Sequence, residues 1–147
     1  MRTLIFLILL TAPVAHSQTV SPVSVEYKKT ARGILTATNN GITPLVVVLE
    51  PASIGRVQGK PTVSKLSTDV HLDISEMSFR LPPKSSHTVS YKATCDTNCG
   101  FAIFARFSGL HTTEGITLAL HIPTLVFICS DKAKDCKPRI LASFDNK

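Results

Sequence analysis

The chain has 147 residues, of which 44% are hydrophobic, 18% charged and 6% aromatic, with no tryptophan and a formal net charge of +6. This length and apolar content suit one globular domain with a hydrophobic core and exclude a disordered chain. The sequence shows no basic helix and no aromatic stacking motif, so we expect no nucleic-acid partner. Basic residues concentrate mildly in a tail that we interpret as solvated, at Lys132, Lys134, Lys137, Arg139 and Lys147.

The first seventeen residues have the pattern of a signal peptide. A short basic start, Met1-Arg2, precedes an apolar run over residues 4–10, and Ala15-His16-Ser17 places small residues where a signal peptidase reads. We expect cleavage before Gln18, with cleavage after Ala15 as an alternative. The apolar run is too short to span a bilayer. Removal of this segment and its single charge leaves 130 of the 147 residues at a net charge of +5. We therefore expect a periplasmic or secreted protein without a membrane span.

Beyond this segment the chain reads as a series of short β-strands, because β-branched runs alternate with clusters of Gly, Pro, Asn and Ser. The first predicted strands are Pro22–Tyr27, Gly33–Thr38 and Pro44–Leu49. Asn39-Asn40-Gly41 marks a tight turn, since Asn-Gly readily adopts the positive φ angles of a hairpin. The third strand is apolar throughout, which indicates burial on both faces or a central place in its sheet. The polar segment Glu50–Ser67 predicts a long loop with a short edge strand near Val63.

The second half of the chain continues the same pattern. The predicted strands are Val70–Ile74, Met77–Leu81, His87–Ala93, Phe101–Phe107 and a long apolar strand over residues 115–129. About seven strands without a helix or an internal repeat predict an all-β, Ig-like Greek-key sandwich over residues 18–130, followed by the tail 131–147. The absence of tryptophan and the cysteine spacing distinguish the chain from antibody domains.

The long last strand is the most informative segment. Four apolar residues recur at every second position and therefore lie on one face of the strand, and they are Ile116, Leu118, Leu120 and Ile122. Pro123 removes a backbone donor and limits pairing on one side of the strand. Such a strand either completes the domain's own core or presents an edge to another chain. The alternation fits both interpretations.

Four cysteines in an exported chain indicate two disulfides, and they are Cys95, Cys99, Cys129 and Cys136. Their spacings do not match the C-x2-C knuckles of structural zinc sites, so no metal is expected. Cys95 ends one predicted strand and Cys99 starts the next, and an antiparallel last strand would return Cys129 to the same end. We expect local pairing, of Cys95 with Cys99 and of Cys129 with Cys136. A crossed Cys99–Cys129 bridge stays open.

The sequence contains no recognisable catalytic set. Ser108-Gly109 lacks the Gly-x-Ser-x-Gly elbow of a nucleophilic serine. The histidines of the exported chain lack the close spacings of a metal motif, and they are His71, His87, His111 and His121. Asp69, Asp73 and Glu76 could touch a cation, but a polar outer face is the simpler interpretation. We therefore expect a protein that is not an enzyme and that uses no cofactor.

Three segments match, in order, the pattern of a known family. Residues 33–48, GILTATNNGITPLVVV, show a strand, an Asn-rich turn, a proline and an apolar strand. Residues 79–89, FRLPPKSSHTV, match Phe-x-Leu-x-Pro-Gly-x-Ser-x-x-Val, with Pro83-Lys84 where Pro-Gly is usual. Residues 116–127, ITLALHIPTLVF, match a last strand. Together they span most of residues 20–128, and the chain resembles the N-terminal Ig-like domain of periplasmic pilus-assembly chaperones, the PapD-like family.

The resemblance implies a partner that is another exported protein, such as a pilin-like subunit. In that family the alternating apolar residues of the last strand enter a groove of an incomplete subunit by strand addition. The corresponding positions here are Ile116, Leu118, Leu120 and Ile122. The family also holds the subunit's terminal carboxylate with an Arg on the first strand and a Lys on the last.

This chain departs from that pattern in its basic anchors, and we expect it to have one domain where the family has two. Pro22–Tyr27 carries no Arg, and His121, Pro123 and Leu125 stand where the Lys would be sought. We expect a monomer or a weakly self-associating protein that binds another exported protein. The alternatives are a structural or adhesive fibre subunit, a cell-surface Ig-like domain, or a small secreted inhibitor or effector acting through Glu50–Ser67.

Overall fold

A computed structural model of the chain describes residues 18–57, 60–109 and 119–129. Several predictions fall outside these ranges, namely the signal peptide, the tail 131–147, Ile116, Leu118, His111 and Cys136. The regular secondary structure in the described ranges consists of β-strands. These ranges contain no helix that is long and apolar enough to cross a membrane.

The described residues form ten strands. They are β1 (Gln18–Ser21), β2 (Ser24–Lys28), β3 (Thr30–Asn39), β4 (Leu45–Val57), β5 (Lys60–Lys65), β6 (Val70–Ile74), β7 (Ser78–Leu81), β8 (Ser85–Cys95), β9 (Cys99–Gly109) and β10 (Leu120–Cys129). β-Branched and aromatic residues favour these strands, and Gly, Pro, Asn and Ser occupy many of the connections. Strand β6 has the predicted bounds. The predicted strands that became β3, β8 and β9 are longer than expected by one to three residues at each end.

The strands form two sheets with the core between them. The four-stranded sheet has the order β1-β3-β8-β6, and the six-stranded sheet has the order β2-β10-β9-β4-β5, with β7 also paired to β4. All pairs are antiparallel except β10 with β2, which is parallel. The predicted all-β, Ig-like sandwich is confirmed, with ten strands in place of about seven.

The predicted first strand, Pro22–Tyr27, is wrong in its bounds because the chain changes sheets within it. Strand β1 pairs with β3 in the four-stranded sheet, whereas β2 pairs with β10 in the six-stranded sheet. Pro22 and Val23 form the crossing between them. Proline cannot donate a backbone hydrogen bond and suits a point where pairing is interrupted. The hydroxyl of Thr124 on β10 donates to the Pro22 carbonyl at 2.9 Å and holds the crossing in place.

The predicted loop at Glu50–Ser67 is also wrong, because β4 continues to Val57 and β5 returns antiparallel to it. The edge strand predicted near Val63 is β5. Pro51 is compatible with a strand here because of the direction of its backbone. The Leu49 amide donates to the Met77 carbonyl at 2.8 Å, so the nitrogen of Pro51, two residues on, points to the same side. Pairing with β7 ends at Val48 and pairing with β5 begins at Ala52, so Pro51 faces a gap between them.

The core is built from alternate residues of both sheets. In β4, Leu45, Val47 and Leu49 are buried while Val46 and Val48 are half-buried, so this strand is central in its sheet but not buried on both faces. The fully buried large apolar side chains are Leu35, Val47, Leu49, Leu81, Val89, Phe101, Ile103, Val126 and Ile128. Burial of each such side chain stabilises the fold by roughly 1.5–3 kcal/mol.

Asn39 joins the two turns at one end of the sandwich. Its side chain is fully buried, and its amide nitrogen donates to the carbonyls of Thr43 at 2.8 Å, Pro82 at 3.1 Å and Leu81 at 3.3 Å. Its side-chain oxygen accepts from the Gly41 amide at 2.9 Å. A buried polar side chain is stable only with such partners. The hairpin predicted at Asn39-Asn40-Gly41 is wrong, because β3 and β4 lie in different sheets and neither Asn40 nor Gly41 has a positive φ angle. The segment is a connection between the two sheets, and Asn39 fastens it to the turn between β7 and β8.

Cys95, Cys99 and Cys129 lie together at the other end, as predicted. A disulfide joins Cys95 to Cys99 across the β8–β9 connection, with the two Cα atoms 6.3 Å apart, which excludes the crossed Cys99–Cys129 bridge. Ile128 pairs with Cys99, so β10 returns Cys129 to this end. Cys129 is also disulfide-bonded. The pairing predicted for it involves Cys136, outside the described residues.

Two tyrosines meet between the sheets over a glycine. The hydroxyls of Tyr27 on β2 and Tyr91 on β8 are hydrogen-bonded at 3.2 Å. A Cβ atom at Gly33 would lie 2.6 Å from the Tyr91 hydroxyl and still closer to that of Tyr27, so only glycine leaves room for the pair. Burial, with the Tyr27 hydrogen bond as a lesser cause, raises the pKa of Tyr91 far above its usual value.

Candidate partner-binding edge

Strand β10 is paired on only one side over its first half. It pairs with β9 from Leu120 to Ile128 but with β2 only from Leu125 to Cys129. Strand β2 cannot extend further because the chain arrives from the other sheet through Pro22 and Val23. No strand of the described residues therefore pairs with Leu120–Thr124 on the β2 side. We call Leu120–Thr124 the free edge.

The backbone of the free edge presents few hydrogen-bonding groups. On the β2 side of β10, the Leu125 amide donates to the Val23 carbonyl and the Cys129 carbonyl accepts from the Lys29 amide, both at 2.9 Å. Because successive residues of a strand direct their backbone groups to opposite sides, His121 and Pro123 face the same side as Leu125. His121 offers an N–H and a carbonyl, whereas Pro123 offers only a carbonyl. The predicted limit that Pro123 places on pairing therefore acts at the free edge.

Side-chain burial changes sharply along β10. Leu120 is 44% exposed, Ile122 is partly buried against the core, and Thr124 and Val126 are completely buried. These four residues lie on one face of the strand. The second half of β10 thus fills the domain's own core, while its beginning is open. The core interpretation therefore holds for the second half of β10, and the edge interpretation stays a prediction for Leu120 and Ile122.

Val23 marks the end of the free edge. Its side chain is 67% exposed. Its carbonyl accepts a hydrogen bond from the Leu125 amide, which is the first β10 amide beyond the free edge on this side. Val23 was predicted to lie within the first strand, so the sequence did not mark it as a candidate surface residue. The available signal was Pro22, since a proline next to an apolar residue at a strand start can mark a change of sheet.

The free edge carries no unpaired basic side chain among the described residues. Arg106 of β9 lies opposite His121, but its Nε is 3.1 Å from Oε1 of Glu50. Strands β1, β2 and β10 contain no Arg, and Lys28 lies opposite Cys129, at the other end of β10. Within the part of the chain that the structure describes, the strands next to β10 thus supply no basic anchor in place of the missing Arg and Lys.

The other polar candidates do not form a common site. His87 Nε2 pairs with Glu76 Oε2 at 2.9 Å, and its ring packs on Phe79 with centroids 4.2 Å apart. Asp69 contacts Ser67 in its own turn. Within residues 18–57, 60–109 and 119–129, no three His, Cys, Asp or Glu side chains converge to hold a metal ion.

Comparison with known proteins places this geometry in a recognisable fold. No protein-family model and no curated protein matches the chain. The E. coli chaperone DraB matches with a TM-score of 0.59 at 17% identity, over 82% of this chain and 58% of DraB. A structure of the SafB chaperone with the SafA pilin of Salmonella enterica matches with a TM-score of 0.61 at 15% identity, over 84% of this chain and 59% of the matched chain.

A shorter human domain matches as well. The PapD-like domain 7 of CEP192 has a TM-score of 0.52 at 16% identity and is covered over 99% of its length by 91% of this chain. The chain spans less than two thirds of the length of the pilus chaperones that it matches. The fold of the described residues is the PapD-like Ig-like sandwich.

Proposed function

We propose that this chain is an exported, chaperone-like binding module that takes an extended segment of another exported protein as an added strand along the free edge. The observation that carries the proposal is the interruption of β2 at Val23. It leaves half of β10 without a second neighbour among the described strands, beside an exposed Leu120. The PapD-like fold supports the same function, because SafB, which shares it, is found in complex with a pilin.

Two kinds of contact would hold the added strand. Backbone hydrogen bonds to His121 and to the Pro123 carbonyl would each contribute about 0.5–1.5 kcal/mol net. Alternate apolar side chains of the partner would pack beside Leu120 and Ile122. Ile116 and Leu118 are proposed to continue that face. The preferred partner is therefore an extended segment with apolar residues at every second position, such as a pilin-like subunit provides.

The absence of a basic anchor among the described residues bears on how the partner is held. Arg106 forms an ion pair with Glu50, and the described part of β10 has neither Lys nor Arg. A partner carboxylate would find no fixed cationic donor here. We infer that affinity comes from the backbone ladder and apolar burial.

A pair of charge substitutions tests this function. Leu120→Asp places a carboxylate on the face where the added strand would pack, at a residue that is 44% exposed and so able to accept it without unfolding. Ile34→Asp is the matched control, because Ile34 is 58% exposed on the outer face of the other sheet. The purified protein is immobilised and exposed to the exported proteins of its source cell. We expect wild type and Ile34→Asp to retain the same protein and Leu120→Asp to lose it.

Three results would redirect the interpretation. Retention of the partner by a folded Leu120→Asp variant would remove the free edge from the function. Unfolding of Leu120→Asp in circular dichroism would assign the beginning of β10 to the core. Polymers of the purified wild-type protein would favour the fibre-subunit alternative.

A further inference from the structure

We propose that Pro123 is a specificity-determining residue of the free edge. Pro123 weakens the pairing of the edge with a second copy of itself more than it weakens pairing with a strand of a different chain. This inference rests on the proposed function, since it concerns which strands the edge accepts. It starts from the direction of one missing donor. The nitrogen of Pro123 points away from β9, toward the side on which Leu125 donates to Val23.

An exposed strand edge is a template for a second copy of itself, and native proteins weaken such edges with proline. Two free edges can pair antiparallel with His121 opposite Pro123 of the second copy. A regular ladder would form four hydrogen bonds at these two symmetric positions. Only the two in which His121 donates to the Pro123 carbonyl can form, because neither proline has an N–H.

A shifted register does not recover the loss. With His121 opposite His121 of the second copy, their two bonds form, but each Pro123 then faces Ala119. At each of these two positions the hydrogen bond from residue 123 to the Ala119 carbonyl is missing, because proline has no N–H. Pairing of the edge with its own copy therefore loses two bonds in either register.

A strand from a different chain loses only one bond, because it supplies its own full set of amides. His121 keeps both of its bonds, and the Pro123 carbonyl still accepts one. Each backbone bond is worth roughly a 2- to 13-fold change in binding. Pro123 thus weakens self-pairing by about 5- to 160-fold and pairing with another chain by only about 2- to 13-fold.

The test is the self-association of Pro123→Ala, measured by sedimentation equilibrium without any partner. The control is Pro83→Ala, which removes a proline from an exposed turn outside the free edge. We expect Pro123→Ala to dimerise about 5- to 160-fold more tightly than wild type, and Pro83→Ala to match wild type. The double variant His121→Pro/Pro123→Ala removes the donor at His121 and should reverse the gain.

The outcomes separate this inference from the proposed function. Unchanged self-association of a folded Pro123→Ala variant would overturn the role of Pro123, even if Leu120→Asp abolishes partner binding. A gain that persists in the double variant would also overturn it, because the new contact would then lie elsewhere. If Leu120→Asp retains its partner while Pro123→Ala dimerises, the proposed function fails and the blocked self-pairing stands.

Discussion

Asn39→Ala tests how the turn end of the sandwich is held together. The substitution removes the amide donor to the carbonyls of Thr43, Leu81 and Pro82 and the acceptor for Gly41, all at a fully buried position. Hydrogen bonds contribute about 0.5–1.5 kcal/mol each, and buried groups left without partners cost more. We expect the free energy of unfolding to fall by about 3–5 kcal/mol, a large share of the roughly 5–15 kcal/mol typical of a domain.

Urea denaturation followed by circular dichroism measures this loss, with Asn40→Ala as the matched control. Asn40 is the adjacent residue of the same type but is exposed, so its substitution should change stability by less than about 0.5 kcal/mol. Asn39→Asp sharpens the test, because a buried carboxylate facing carbonyl groups would have a raised pKa. A raised folded-state pKa means that the deficit of Asn39→Asp relative to wild type shrinks as the pH falls through that raised pKa toward about 4, and that it stays constant below about 4, where the carboxyl is protonated in both states. Asn39→Ala within about 1 kcal/mol of wild type would refute the proposed fastening of the two turns.

Two further predictions concern the tyrosine pair. Gly33→Ala inserts a methyl group against both tyrosine hydroxyls and should destabilise the fold by about 1–3 kcal/mol. Adding Tyr27→Phe should recover part of this loss. Equal losses of stability with and without Tyr27→Phe would contradict the packing. The chain has only two tyrosines and no tryptophan, so absorbance at 295 nm follows their ionisation directly. While the fold persists, Tyr91 should ionise far above the usual tyrosine pKa of about 10, and in denaturant both tyrosines should ionise near pH 10. The stability that the raised pKa of Tyr91 provides is present below about pH 10. It is lost as the pH rises toward the folded-state pKa. Ionisation of both near pH 10 in the folded protein would refute the burial of the pair.

Much of the sandwich is encoded locally. β6 and β8 were predictable because their apolar residues recur with the period of a strand. β9 was predictable as a short, almost continuous apolar run, and turn residues bound each of the three. The local Cys95–Cys99 bridge was equally predictable, since it joins residues close together in the chain.

The errors arose where strands distant in the sequence determine the role of a proline or glycine. Pro51 looked like a strand breaker, yet it lies in a central strand where its nitrogen faces the gap between β7 and β5. Pro22 looked like the start of one strand, but the chain crosses there between two sheets. The open half of β10 follows from that crossing, so the alternation of Leu120 and Ile122 could suggest a strand but could not say which half would be covered.

Amide hydrogen exchange at His121, with and without the protein that wild type captures and Leu120→Asp does not, tests the central claim most directly. The Leu125 amide is the internal control, because it already donates to Val23 and should be protected in both states. An added strand predicts that the His121 amide exchanges rapidly in the free protein and becomes protected in the complex. Unchanged, rapid exchange of His121 in a saturated complex would show that the partner binds elsewhere.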